Sequence, residues 1–257
     1  MSTRPGPLRA LIRRLGLDVV RYDNAAREPA LPVDFDAGAA DTIRAVRAHT
    51  MTSPERLYAL IQAVRYVAHA AIPGDIVECG VWRGGSMMAA ARTLLECGDT
   101  SRELYLFDTF EGMSPPGAKD VGVDGQPASE LLRAADRNDP ASAWCYASLQ
   151  DVQSAMAGTG YDATRVHFVK GKVEDTIPAG APARIAVLRL DTDWYDSTRH
   201  ELEHLYPRLS PGGVLIIDDY GHWAGCRQAV DEYFASRKLH ALLHRVDYTG
   251  RIAVKPA

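Results

Sequence analysis

Apolar positions along the chain change period in a way that separates helices from strands. Over residues 54–71, Leu57, Leu60, Ile61, Val64, Tyr66 and Val67 recur at helical intervals, with Ser53 placed as N-cap, Pro54 at the first helical position and Pro73-Gly74 as a stop. Five short apolar runs follow, over 76–79, 104–107, 166–169, 185–190 and 214–217, with helical or loop-like sequence between them. Strands spaced by helix-length segments predict βαβ units, hence a mostly parallel sheet whose ligand sites lie at the carboxyl ends of its strands. The tail, 239–247 and 251–254 around Tyr248-Thr249-Gly250, predicts a closing antiparallel hairpin.

Upstream, Leu8, Leu11, Ile12 and Leu15 fall on one helical face with Arg9, Arg13 and Arg14 on the other. This amphipathic helix is expected to pack on the body or on a second copy, which makes a homodimer plausible. Arginines inside the apolar stretch are unlike a signal peptide, and no apolar run approaches the roughly 18 residues that cross a bilayer. Residues 24–40, rich in Ala, Pro and Asp without periodicity, predict a linker or arm. The expected organisation is an N-terminal helix and arm over 1–48 and a single domain over 49–257.

Composition narrows the class. The 257 residues carry 29 Lys and Arg against 33 Asp and Glu, a net charge of −4, with 46% hydrophobic residues. That balance is globular and gives no support to a polybasic nucleic-acid binder. Cys79, Cys97, Cys145 and Cys226 are scattered, so neither a disulfide framework nor a Cys-only zinc site is expected, and a cytoplasmic location follows.

The chemistry sits at the strand ends. The first strand runs into Glu78-Cys79-Gly80-Val81-Trp82-Arg83-Gly84-Gly85-Ser86, where glycines admit close approach of a ligand to backbone at a helix N-terminus. It is neither G-x-G-x-x-G nor a P-loop. Asp108, ending the second strand about 30 positions after Glu78, is placed to meet the two hydroxyls of a ribose. An acid-x-Gly-x-x-x-Gly loop suits S-adenosylmethionine, which has no pyrophosphate to cradle. The fourth strand ends in Asp191-Thr192-Asp193-Trp194-Tyr195-Asp196 and the fifth in Asp218-Asp219-Tyr220. Carboxylates converging from adjacent strand ends repel one another unless a hard divalent cation, Mg²⁺ above all, lies between them. Asp196 or Ser197 could simply cap the following helix.

Four segments, Glu78-Cys-Gly-Val-Trp-Arg-Gly-Gly, Phe107-Asp-Thr-Phe-Glu-Gly, Leu188-Arg-Leu-Asp-Thr-Asp-Trp-Tyr and Tyr206-Pro-Arg-Leu-Ser-Pro-Gly-Gly leading to Ile217-Asp-Asp-Tyr, together resemble the macrocin and mycinamicin O-methyltransferase family. The resemblance extends from about residue 49 to 233. It implies the α/β class I methyltransferase fold: a Rossmann-like sheet of about seven strands, mostly parallel, with an antiparallel final hairpin and an N-terminal helical arm. It also implies an S-adenosylmethionine-dependent, Mg²⁺-dependent O-methyltransferase acting on a sugar hydroxyl of a glycan, oligosaccharide or glycosylated natural product. By that resemblance Glu78, Gly80, Trp82, Gly84, Gly85, Ser86, Asp108 and Thr109 surround the cofactor, with Asp191 beside it. Thr50 and Met51 touch its methionine end, and Ser148 and Glu174 flank its adenine. Asp191, Asp218 and Asp219 bind the metal, and Asp193 is the general base, so that Asp193 and Asp191 carry the catalysis.

The irregular stretch 110–147 is expected to cover the acceptor site, with Trp144 and Tyr146 able to stack on a sugar. Some family members carry a histidine in this region; residues 110–166 have none. His222 is the one histidine placed to reach the acceptor. Three rival readings are weaker. A haloacid-dehalogenase-like phosphatase needs a phosphoryl-neutralising lysine that is absent between Asp191 and Asp218. His200-Glu201-Leu202-Glu203-His204 matches H-E-x-x-H formally, but Pro207 ends its helix and the longer metalloprotease continuation is missing. A non-catalytic S-adenosylmethionine-binding module has no use for the acidic cluster.

Overall fold

A computed structural model describes residues 31–256 apart from 138, 140 and 141. The amphipathic helix expected around Leu8 to Leu15 lies outside the described residues. Phe35–Ala257 forms a compact unit.

Helix α1 (Ala37–Val46) starts within the stretch whose composition predicts an arm; Asp36 caps it by accepting a hydrogen bond from Ala39 N at 3.0 Å. Its buried face is Ala39, Ala40, Thr42, Ile43 and Val46, with only two large apolar side chains among them. Helix α2 (Pro54–His69) begins as expected, with Ser53 Oγ accepting from Arg56 N at 3.2 Å. It ends at His69 rather than 71, because Ala71 turns into the left-handed region at φ 51°.

Strands β1 (Asp75–Cys79), β2 (Leu104–Asp108), β3 (Val166–Lys170), β4 (Ile185–Leu190) and β5 (Leu209–Ile217) are parallel. Two short strands, β6 (His244–Arg245) and β7 (Arg251–Val254), complete a seven-stranded sheet in the order β3-β2-β1-β4-β5-β7-β6, with β7 antiparallel to both neighbours. Every residue of β4 is buried, as a central parallel strand requires. The final hairpin is shorter than 239–247 predicts. Lys238 breaks the chain direction at φ 52°, and Leu239 and Leu243 pack against the core instead of pairing.

Helices α3 (Gly85–Cys97), α4 (Ala128–Ala134), α5 (Leu149–Ala157), α6 (Val173–Thr176), α7 (Tyr195–Leu205) and α8 (Ala224–Ser236) connect the strands. Among the contacts, α1, α2 and α3 pack together, as do α6, α7 and α8. All four cysteines are free. No helix among the described residues is long and apolar enough to cross a membrane.

Candidate active site

Sheet register assembles the site. Phe107, Cys79, Leu190 and Ile217 stand side by side across β2, β1, β4 and β5. The next residue on each strand, Asp108, Gly80, Asp191 and Asp218, therefore emerges at one level of the carboxyl edge. Asp191 N donates to Cys79 O at 2.8 Å and Asp218 N to Leu190 O at 2.9 Å, which carries the pairing to the rim. Gly80 is obligatory there: its φ is 81°, and a Cβ would fall 1.9 Å from Asp191 O.

A cavity of about 390 Å³ opens at this edge, within the range of small-molecule sites. Thr50, Met51, Gly80, Trp82, Ser86, Asp108, Thr109, Glu174 and Asp191 line it, as do Asp193, Asp218 and Asp219. Glu78 lies beneath the lining, 1% exposed. Gly84 and Gly85 form the turn into α3, and Gly85 lies so close to the 49–50 backbone that a Cβ would sit 2.6 Å from His49 O. Ser148 is not in the lining; it caps α5, accepting from Asp151 N at 3.2 Å.

Asp108 shapes the loop after β1. Its carboxylate accepts from Val81 N at 2.6 Å, Trp82 N at 3.1 Å and Phe110 N at 2.6 Å. Burial nevertheless raises its pKa above the usual range, against the pull of those amides. Two buried polar atoms here have no partner, Glu78 Oε2 and Trp82 Nε1. Unsatisfied groups of this kind beside a cavity fit a polar ligand.

Asp191, Asp218 and Asp219 bring ligand oxygens within 4.8 Å of one another, the one such group among the described residues. Three carboxylates form a hard oxygen donor set, which suits Mg²⁺. Arg189, in the middle of β4 and 3% exposed, threads the cluster. It contacts Glu78 Oε1, donates to Asp191 Oδ2 at 2.6 Å and to Asp218 Oδ1 at 2.5 Å, and reaches Thr52 Oγ1 at 3.1 Å. Arg56, from the first turn of α2, pairs with the other Asp218 oxygen and donates to Asp247 Oδ2 at 3.0 Å.

Asp193 sits in a tight turn, with φ 66° and Trp194 N donating to Thr192 O at 2.7 Å. This γ-turn geometry is strained, a cost that recurs at functional residues. Its Oδ1 accepts from Trp223 Nε1 at 2.7 Å, and it shares a hydrogen bond with Asp219. Burial, then the charge of Asp191, pushes Asp193 up to about 7, and burial drives Asp219 well above the carboxylate range. Below the turn, Thr192 Oγ1 lies 2.8 Å from Glu201 Oε1. Glu201 of the formal H-E-x-x-H motif is thus fully buried and turned inward, while His200 Nε2 meets Ile177 O at 3.0 Å, so the motif offers no zinc site.

The helix that follows is capped from outside, not by Asp196 or Ser197. Asp120, 2% exposed, accepts from Tyr195 N at 2.8 Å and from Gly117 N at 2.7 Å, tying the 112–127 segment to the start of α7. That segment and the next one cover the cavity through Met113, Leu131 and Cys145. Trp144 and Tyr146 do not line it. Arg137 stacks on Trp144 at 3.8 Å, and Tyr146 borders a separate cavity of about 420 Å³ with His49 and Arg83. The aromatic wall is Trp194, Trp223 and Tyr248, with His222 between the last two: Trp194 and Trp223 meet edge-on at 5.0 Å, His222 and Trp223 at 4.7 Å.

Arg56, Arg189, Trp223 and Tyr248 are among the site residues that sequence reasoning missed. Arg189 had a signal, as the lone charge inside an apolar strand. Neither Arg199 nor Arg208, the cations nearest the phosphatase reading, lines the cavity; Arg199 pairs with Glu203 and Arg208 with the carbonyl of Ala181.

Comparison with known proteins gives one family. The model of "Macrocin-O-methyltransferase (TylF)" matches residues 11–254. The chain is 39% identical over 203 residues to an 8-demethyl-8-(2,3-dimethoxy-alpha-L-rhamnosyl)-tetracenomycin-C 4'-O-methyltransferase of Streptomyces olivaceus, covering 79% of this chain and 74% of that one. It is 38% identical over 186 residues to a mycinamicin III 3''-O-methyltransferase of Micromonospora griseorubida, covering 72% and 70%. The solved structure of the O-methyltransferase NovP superposes with a TM-score of 0.69 at 33% identity, over 81% of this chain and 83% of that one.

Proposed function

The chain belongs to the macrocin-O-methyltransferase family, and from this premise we propose that it moves the methyl group of S-adenosylmethionine to a sugar hydroxyl of a glycosylated natural product, with Mg²⁺ at Asp191, Asp218 and Asp219. The observation that carries the proposal is the convergence of Asp108, Asp191, Asp193, Asp218 and Asp219 on one cavity, a few residues from an aromatic wall.

In this assignment Gly80, Asp108, Thr50 and Met51 would hold the cofactor, with Asp108 available to its ribose hydroxyls and Thr50 and Met51 to its methionine end. Glu78, neutralised by Arg189, stiffens the floor. Trp82, Ser86, Thr109 and Glu174 complete the enclosure, while Gly84, Gly85 and Ser148 act through the turns and caps that hold it. A metal ion held by Asp191, Asp218 and Asp219 would supply a Lewis acid that lowers the pKa of a bound hydroxyl.

Asp193 is the general base. Its γ-turn aims the carboxylate into the cavity, and the Trp223 indole fixes Oδ1; with Asp219 engaged at the metal, the other oxygen would accept the sugar hydroxyl proton. As the proton moves to Asp193, the sugar oxygen bonds to the sulfonium methyl and the carbon–sulfur bond breaks, giving a methyl ether and S-adenosylhomocysteine. Trp194, Trp223 and Tyr248 receive the apolar face of the sugar and exclude water, so that oxygen, methyl and sulfur come into line. Four free cysteines accord with a cytoplasmic location.

The test is transfer of labelled methyl from S-adenosylmethionine to a panel of rhamnosyl and related deoxysugar glycosides. Activity is expected to vanish with a chelator and return with Mg²⁺ in the natural protein, but not in Asp218→Ala. Methyl transfer that survives chelation would refute the metal assignment.

A further inference from the structure

Asp218 has both carboxylate oxygens engaged by guanidinium groups, and the two guanidiniums are not equivalent. Arg189 holds Oδ1 from within a buried strand, where it also serves Glu78, Asp191 and Thr52. Its side chain is 4% exposed and fixed by those partners. Arg56 holds Oδ2 from the first turn of a helix, through a flexible side chain that is 14% exposed. It has a second carboxylate at hand: Nε donates to Asp247 Oδ2 at 3.0 Å. Asp247 is itself fixed, accepting from Ser53 Oγ at 2.8 Å, Thr249 N at 3.0 Å and Gly250 N at 2.7 Å. Arg56 can therefore swing from Asp218 to Asp247 without stranding its charge, whereas Arg189 is locked in a buried strand by Glu78, Asp191 and Thr52.

We propose that Arg56 is the internal competitor of the metal ion: it occupies Asp218 in the metal-free protein and cedes that carboxylate when the divalent cation binds, falling back on Asp247. This rests on the metal assignment above and makes a claim beyond it, that one positioning residue outside the ligand set tunes metal affinity. Electrostatics gives the direction. A unit positive charge a few ångströms from a dication site opposes binding, and removing it both frees Asp218 and makes the cluster more negative. At the effective dielectric of a partly buried site, after screening, the effect is of order tenfold in the dissociation constant. A merely structural Arg56 predicts the opposite sign, since its loss would disorder Asp218 and weaken the site.

The experiment is calorimetric titration of MgCl₂ into the full chain, without cofactor or acceptor, for the natural protein, Arg56→Met and Arg56→Lys. Arg56→Met is expected to bind Mg²⁺ about tenfold more tightly. Arg56→Lys keeps the charge but cannot reach Asp218 and Asp247 together, and is expected to fall between the two. Melting temperatures give a second readout, with a larger Mg²⁺-induced rise in the methionine variant. If Arg56→Met does not fold, Arg56→Lys decides: tighter binding supports the proposal, and equal or weaker binding overturns it. Equal or weaker binding by a folded Arg56→Met also overturns it. Absence of Mg²⁺ binding by the natural protein would instead overturn the metal assignment on which the proposal stands.

Discussion

Arg189 and Glu78 are register partners on adjacent parallel strands, and their side chains form an ion pair sealed from solvent at 4% and 1% exposure. The pair lies directly under the cavity, and Arg189 extends from it to Asp191 and Asp218. A single guanidinium thus balances three carboxylates, and the cluster cannot remain charged without it.

Arg189→Met is therefore expected to destabilise the protein by about 3–5 kcal/mol, the cost of leaving buried carboxylates uncompensated. Chemical denaturation in the presence of chelator measures it. A loss under about 1 kcal/mol, within the range of exposed pairs, would show that the pair is not a structural anchor.

Asp193→Asn preserves the γ-turn and can still pair with Trp223 through its carbonyl oxygen, but it cannot take a proton. Turnover is expected to fall at least about 100-fold, with S-adenosylhomocysteine affinity nearly unchanged. Wild-type turnover in the variant would move the base elsewhere, with His222 as the next group along the wall.

Burial, and then the charge of Asp191, holds Asp193 protonated up to about 7. Ordinary carboxylates titrate near 4. Between those values the unfolded chain has released a proton that the folded chain keeps, so metal-free stability falls as pH rises from about 4 to about 7. Because metal ligands must shed protons, Mg²⁺ binding tightens over the same interval and offsets the loss. Melting temperatures at several pH values, with chelator and with Mg²⁺, check both trends. A chelated profile that is flat or rises with pH contradicts the account.

Asp120 caps α7 from a distant loop and holds the 112–127 segment, proposed above to face the acceptor, against it. Asp120→Ala is expected to cost about 1–3 kcal/mol and to raise the KM for the acceptor more than it lowers cofactor affinity. Steady-state kinetics and cofactor titration separate the two effects. Equal loss on both sides would mean that the segment supports the whole cavity rather than the acceptor half.

The sheet was largely legible because parallel strands buried on both faces leave continuous apolar runs, and the acids that end them stand out. Asp108, Asp191 and Asp218 come to one level through register, which spacing only suggests. Helix α1 starts inside a stretch whose Ala, Pro and Asp content suggests an arm, and only Ile43 and Val46 on its buried face are large apolar residues. Trp144 and Tyr146, read from sequence as able to stack on a sugar or to form a small loop core, lie outside the cavity lining: an irregular segment gives no period from which to tell which side chains face inward, and an arginine stacks on Trp144. Arg56 and Asp247 are 191 positions apart, and no local pattern announces such a pairing.

The measurement that bears most directly on the account is calorimetric titration of the protein with S-adenosylhomocysteine, with and without Mg²⁺, alongside Asp108→Ala. It requires no knowledge of the acceptor. Micromolar binding by the natural protein, weakened at least tenfold by loss of the carboxylate assigned to the ribose, is the expected result. No binding under either condition would contradict the assignment of this cavity to the methyl donor.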